Sequence, residues 1–127
     1  MLTSAAVLAT VLLAALVVFQ AMLALGAPIG HFSWGGAHRV LPTRFRIGSA
    51  LAIPIYVFII LLMLDKAAVV SPFGQAGWAT VAFWVVTVFF ILNIPLNALS
   101  RSKHERALVT PTVAVLAILF LYVGLTA

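Results

Sequence analysis

The amino-acid sequence predicts an all-α membrane protein of four transmembrane helices, with two tandem helical hairpins as the candidate arrangement. Three observations carry this expectation. Of 127 residues, 65% are hydrophobic and 7% charged, against roughly 45–50% and about 25% in soluble domains, and the mean hydropathy is +1.28. The apolar residues fall into four runs, each near the ~20 residues that cross about 30 Å of hydrocarbon. The cations gather at two of the three connections between those runs. The whole chain, residues 1–127, therefore reads as a single transmembrane domain.

The first run, residues 5–25, is interrupted only by Thr10 and Gln20 and ends at Gly26-Ala27-Pro28, where proline disfavours further helix. A cleaved signal peptide is the rival reading, but no basic region precedes the run and it exceeds the usual 7–15 apolar residues. Its small residues Ala5, Ala9 and Ala14 read as a packing surface. Residues 27–46 form a long connection rich in Gly, Pro, His, Arg and aromatic residues, a composition suited to the headgroup interface.

The second helix is expected over residues 47–64, with Pro54 inside it and Asp65-Lys66 closing it. The turn through Ser71-Pro72-Phe73-Gly74 leads to Trp78, which opens a third helix over 78–99. That helix becomes more polar at Asn93, Pro95 and Asn97. A short basic loop, residues 100–106, precedes a fourth helix over 108–125, with Pro111 tolerated in its first turn.

Topology follows from charge. The connections after helices one and three hold Arg39, Arg44, Arg46, Arg101, Lys103 and Arg106 against Glu105, whereas the opposite side holds only Lys66 against Asp65. The positive-inside rule places both basic loops in the cytoplasm and both termini outside. A shift of 67 residues aligns Leu25, Pro28, Ser33, Arg39, Leu41, Thr43 and Ala50 with identical residues at 92, 95, 100, 106, 108, 110 and 117, which suggests a duplicated hairpin of parallel orientation.

The candidate sites come from the same accounting. His38, Arg39, Arg44, Arg46, Arg101, Lys103 and Arg106 are the expected ligands of a phosphate or lipid headgroup, because guanidinium groups grip paired oxygens and each cation near an anionic leaflet contributes about 1 kcal/mol. Orientation and plain lipid contact are the blander use of these charges. Gln20, Asn93 and Asn97 are the intramembrane polar candidates, and the two asparagines, one turn apart, are expected to hydrogen-bond between helices. Cysteine is absent, only two carboxylates occur, and His31, His38 and His104 match no zinc spacing. No catalytic residue, metal or cofactor is therefore assigned. With the cations beside membrane spans, nucleic acid is not an expected partner.

The stretch Gly26-Ala27-Pro28-Ile29-Gly30 through Trp34-Gly35-Gly36, then His38-Arg39-Val40-Leu41-Pro42, with residues 100–106 later, resembles a family of small, uncharacterised four-helix bacterial inner-membrane proteins. The resemblance implies a multi-pass fold in the bacterial inner membrane and transfers no functional residue. Small multidrug transporters and fluoride channels are similar in size, but the intramembrane glutamate of the former has no counterpart here.

The expectation from sequence is thus a non-catalytic membrane protein that binds anionic lipid, or a membrane partner, through its basic loops. A small oligomeric transporter or channel is the alternative. An interfacial lipid-modifying enzyme dependent on histidine is the second alternative.

Overall fold

The computed structural model describes residues 2–28, 40, 42–99 and 103–127, the side chains of 103–105 excepted. Four helices run in order: α1 (Leu2–Ala24), α2 (Thr43–Lys66), α3 (Gly77–Ala98) and α4 (Lys103–Thr126). All four are long and apolar enough to cross a bilayer, and no strand occurs among the described residues. The fold is that of a multi-pass membrane protein.

The helices are apolar on every side, because their outer faces meet lipid and their inner faces meet one another. Val11, Val18, Leu51, Ile55, Val81 and Ile118 are among the exposed large side chains. Hydroxyls inside the spans bond backward along their own helix: Thr10 donates to the Ala6 carbonyl at 2.8 Å, Thr87 to Phe83 at 2.9 Å and Thr112 to Leu108 at 2.7 Å. Such bonds keep these three hydroxyl protons from facing hydrocarbon, whereas Thr110 Oγ1 in α4 is buried without a partner.

α1 packs most closely on α2 and α3 on α4, and the two hairpins meet through α1–α4 and α2–α3. The inward residues recur at helical spacing, as in Ala79, Phe83, Thr87 and Phe90 of α3 and Val113, Leu116, Ala117, Phe120 and Val123 of α4. Phe120 stacks on Phe83 with centroids 5.1 Å apart and meets Phe90 edge-on at 5.1 Å. Ala5, Ala6 and Ala9 let α1 approach this core, whereas Ala14 is exposed and does not belong to the packed face. Gly124 is required by the same packing, since a Cβ there would lie 2.8 Å from the Trp84 ring.

Helix ends differ from the sequence expectation in a consistent direction. α2 begins at Thr43 and α4 at Lys103, so Arg44, Arg46, Lys103 and Arg106 stand on first helical turns and not in loops. A helix satisfies its own backbone in lipid or headgroup alike, so loss of apolar character does not end it. The shift of 67 residues centres the two basic junctions on one another, and residues 92–95, 107 and 109 are helical where their described counterparts 25–28, 40 and 42 are not.

At their C-termini, on opposite ends of the bundle, α1 and α2 close with the same terminal hydrogen-bond pattern. Gly26 N–H donates to Leu23 and Ala27 N–H to Met22, while Ala68 N–H donates to Asp65 and Val69 N–H to Leu64. Gly26 takes φ +91° without cost, but Ala68 takes φ +58° as a non-glycine.

Asp65 is the organiser of the α2–α3 turn. Read from sequence, it closes α2 beside Lys66; in the fold its side chain is 2% exposed. Its Oδ1 accepts the backbone N–H of Phe73 at 3.1 Å and of Gln75 at 3.2 Å. Gln75 Nε2 donates in return to the Asp65 carbonyl at 3.3 Å. Phe73, so held, packs edge-on against Phe58 and Trp78.

Candidate functional site

The buried core occupies the half of the bundle away from the basic connections; towards them the four helices separate around a recess of about 480 Å³. Its wall is mostly apolar, with Leu16, Phe19, Phe89, Leu108 and Val109, and among these stand Gln20 from α1, Gly48, Ala52 and Tyr56 from α2, Asn93 and Asn97 from α3, and Thr112 from α4. From Gly48 to Tyr56 it descends about 12 Å along α2. Phe90 and Val113 line it and also belong to the core cluster, so the aromatic stack forms its floor.

All three intramembrane polar residues expected from sequence thus converge on one place. Their hydrogen bonding differs from expectation. Asn93 Nδ2 donates to the Phe89 carbonyl at 2.8 Å and Asn97 Nδ2 to the Asn93 carbonyl at 2.7 Å, with a longer contact of 3.4 Å to Asn93 Oδ1. Both asparagines bond within α3, not between helices. The nearest carbonyls are one turn back on the same helix, and the space opposite them is the recess itself.

Gln20 of α1 and Tyr56 of α2 line the same wall. Gln20 Oε1 is buried without a hydrogen-bond partner. Tyr56 and Thr112 are the lining residues that sequence reasoning missed. Tyr56 carried a signal: tyrosine favours the interface, and one placed mid-run needs a polar partner.

The cationic candidates divide. Arg44 stands one turn before Gly48, on the same face of α2 and about 6 Å nearer the basic end; it is exposed, with its guanidinium 4.7 Å from the Phe45 ring centroid. Arg106 is exposed three residues before Val109, another lining residue. Side chains on a helix lean towards its N-terminus, which for α2 and α4 is the basic end, and neither arginine is among the residues lining the recess.

Arg46 is committed differently. Its Nε donates to the Ala24 carbonyl at 2.9 Å, capping α1, and its guanidinium lies 3.4 Å from where a Cβ on Gly26 would be. Among the expected ligands, His38, Arg39, Arg101 and the side chain of Lys103 lie outside the described residues, as do His31 and the side chain of His104. Among the described residues no group of three metal-ligating side chains occurs.

A four-helix membrane bundle with a recess of mixed apolar and amide lining near its basic end is therefore the class of protein this chain presents. Comparison with known protein families, with curated proteins and with solved structures gives no match.

Proposed function

We propose that the chain is a non-catalytic multi-pass protein of the bacterial inner membrane, of the small four-helix kind it resembles, that binds anionic lipid headgroups or a membrane partner through its basic face. Both termini lie outside and the basic connections face the cytoplasm in this reading. The observation that carries it is the position of Arg44 and Arg106 about one helical turn nearer the basic end than a recess within the bundle that holds Gln20, Asn93 and Asn97 in an otherwise apolar lining. Cations at the mouth supply charge for a phosphate, and hydrogen-bonding side chains below supply a seat that a merely orienting charge cluster would not need.

The test is binding in nanodiscs of phosphatidylglycerol and phosphatidylcholine with Arg39, Arg44 and Arg106 all changed to Gln. At about 1 kcal/mol per cation, anionic-lipid binding should weaken on the order of 100-fold. Unchanged binding removes the proposal.

The same recess favours a second reading, a small oligomeric transporter or channel, because polar groups inside a bundle suit a solute path. The stacked Phe83, Phe90 and Phe120 stand across that path. Flux through liposomes by a defined oligomer supports this reading, and a monomer without flux removes it. Duplication of an ancestral hairpin accompanies either reading and is supported by the tighter pairing of α1 with α2 and of α3 with α4.

A further inference from the structure

Two spaces in the bundle adjoin at Phe89. The recess of about 480 Å³ lies towards the basic end. Below it Pro54, Ile55, Phe58, Ala82, Val85 and Val86 line a groove of about 680 Å³ between α2 and α3, and Phe89 lines both spaces. Phe89, Ile55 and Val85 are 54%, 60% and 64% exposed, so the groove opens sideways to the bilayer. It runs about 12 Å along α2, from Pro54 to Leu62. Towards the α2–α3 turn the seam is bridged, since Phe58 stacks on Trp78 at 6.4 Å and meets Phe73 edge-on at 5.6 Å. A chain in the groove therefore enters from the bilayer or from the recess.

Four features select the occupant. No charged side chain is among the described residues lining either space, and an unpaired charge at that depth is costly, so the head that lies in the recess is neutral. Phe19, Tyr56, Phe89 and Phe90 bring four aromatic rings to its wall, which suits a flat ring. Hydrogen-bonding atoms of both kinds are left for the guest. Asn93 Nδ2 spends one proton on the Phe89 carbonyl and keeps a second, while Thr112 Oγ1 gives its proton to Leu108 and keeps lone pairs, both at exposed positions. The groove past Phe89 supplies an apolar path for a chain. A water-soluble solute leaves that groove unused, a phospholipid brings a charge, and a diacylglycerol brings no ring. A quinone head is flat and neutral, its oxygens accept hydrogen bonds when oxidised and also donate when reduced, and its prenyl tail is a single chain.

We infer that recess and groove together seat an isoprenoid quinone, with its ring among the aromatic side chains, one oxygen at Asn93 Nδ2 and its prenyl tail in the groove past Phe89. The seat goes beyond the headgroup reading and does not rest on it: Arg44 and Arg106 line neither space, so a phosphate beside them and a quinone below occupy different levels.

In the experiment the whole protein, held on an affinity resin in mild detergent, is equilibrated with one of four probes at equal mole fraction in the micelles. The probes are menaquinone-4, its analogue lacking both carbonyl oxygens, dioleoylglycerol and dioleoylphosphatidylglycerol, and probe bound above the empty resin is extracted and quantified. Menaquinone-4 should be retained about fivefold over its carbonyl-free analogue, the worth of one hydrogen bond, and over dioleoylglycerol by at least as much. Asn93→Leu should erase the preference for quinone over analogue. Ile55→Trp and Val85→Trp, on opposite walls and both at exposed positions, should each lower retention of menaquinone-4 severalfold. Arg44→Gln combined with Arg106→Gln should leave it unchanged while weakening phosphatidylglycerol.

Equal retention of menaquinone-4 and its analogue, or of menaquinone-4 and dioleoylglycerol, overturns the seat, and these comparisons on the unaltered chain hold even if Asn93→Leu fails to fold. Loss of menaquinone-4 in the arginine pair overturns it too, because the ligand would then be read by charge. The headgroup reading is decided separately: phosphatidylglycerol retention that ignores the arginine pair overturns that reading and leaves the quinone seat standing.

Discussion

The two halves of this bundle are made of nearly the same kinds of residue and are built on opposite principles. In the half holding the α2–α3 turn, Phe83, Phe90 and Phe120 interlock, Gly124 lets Trp84 lie against α4, and Asp65 satisfies the turn's backbone. In the half facing the basic connections, Gly48, Ala52 and Thr112 leave a recess, and side-chain amides stand where packing atoms would be. Between helices in lipid there is no hydrophobic drive to close such a space, because lipid tails are as apolar as the side chains, so association rests on packing and interhelical hydrogen bonds. The contrast teaches that stability and site have been separated along the membrane normal.

Substitutions that break the packed half should have the largest effects. Phe120→Ala removes the ring that touches both Phe83 and Phe90 and should cost about 3 kcal/mol, the lower end for phenylalanine truncation, because lipid lessens the transfer part and leaves the cavity part. Unfolding titrated with a denaturing detergent is the measurement; a loss below 1 kcal/mol would place the core elsewhere. Asp65→Ala should follow at about 2 kcal/mol, since two backbone donors lose a charged acceptor. Asp65→Asn, which keeps one oxygen, should recover roughly half of that. If the two variants are equally destabilised, the carboxylate's charge and not its acceptor geometry holds the turn.

Gly124→Ala sharpens the comparison from the other side. The added methyl would meet the Trp84 ring at 2.8 Å and Phe83 at 3.0 Å, so the ring must move, at a cost of about 1–2 kcal/mol in a packed core. Trp84→Leu in the same chain should relieve it. An intrinsic helix gain from alanine works against this by up to about 1 kcal/mol, so a stabilised Gly124→Ala would show that the packed half yields more readily than its contacts imply.

How far these halves could be read from sequence differs in kind. The number of spans, their order and the prolines within them were legible, because length and hydropathy are one-dimensional properties. Which face of each helix points inward was not: with apolar residues all round, periodicity carries no phase, and Ala14 therefore looked equivalent to Ala5 and Ala9. Helix ends were misplaced wherever polar residues sit on helical turns, as at Arg44 and Arg106. Gln20, Asn93 and Asn97 were legible because a polar atom in a span must find a use. Their companion Tyr56 was hidden by its aromatic character, and Asp65 by the neighbouring Lys66, which suggested a pair at the surface.

The smallest expected effect lies in the hollow half and bears most directly on the comparison. Gln20→Leu removes a buried oxygen that has no partner within the protein. Relief of the unsatisfied acceptor is worth about 1 kcal/mol, and leucine gains packing against Leu16 and Val109 on the same wall. The variant should therefore unfold within about 0.5 kcal/mol of the original or above it, as surface-like positions do. A site held open at some cost to stability is what a binding function requires. A destabilisation of 2 kcal/mol or more would instead make Gln20 a structural clamp between α1 and α2, and the hollow half would then be an extension of the core by other means.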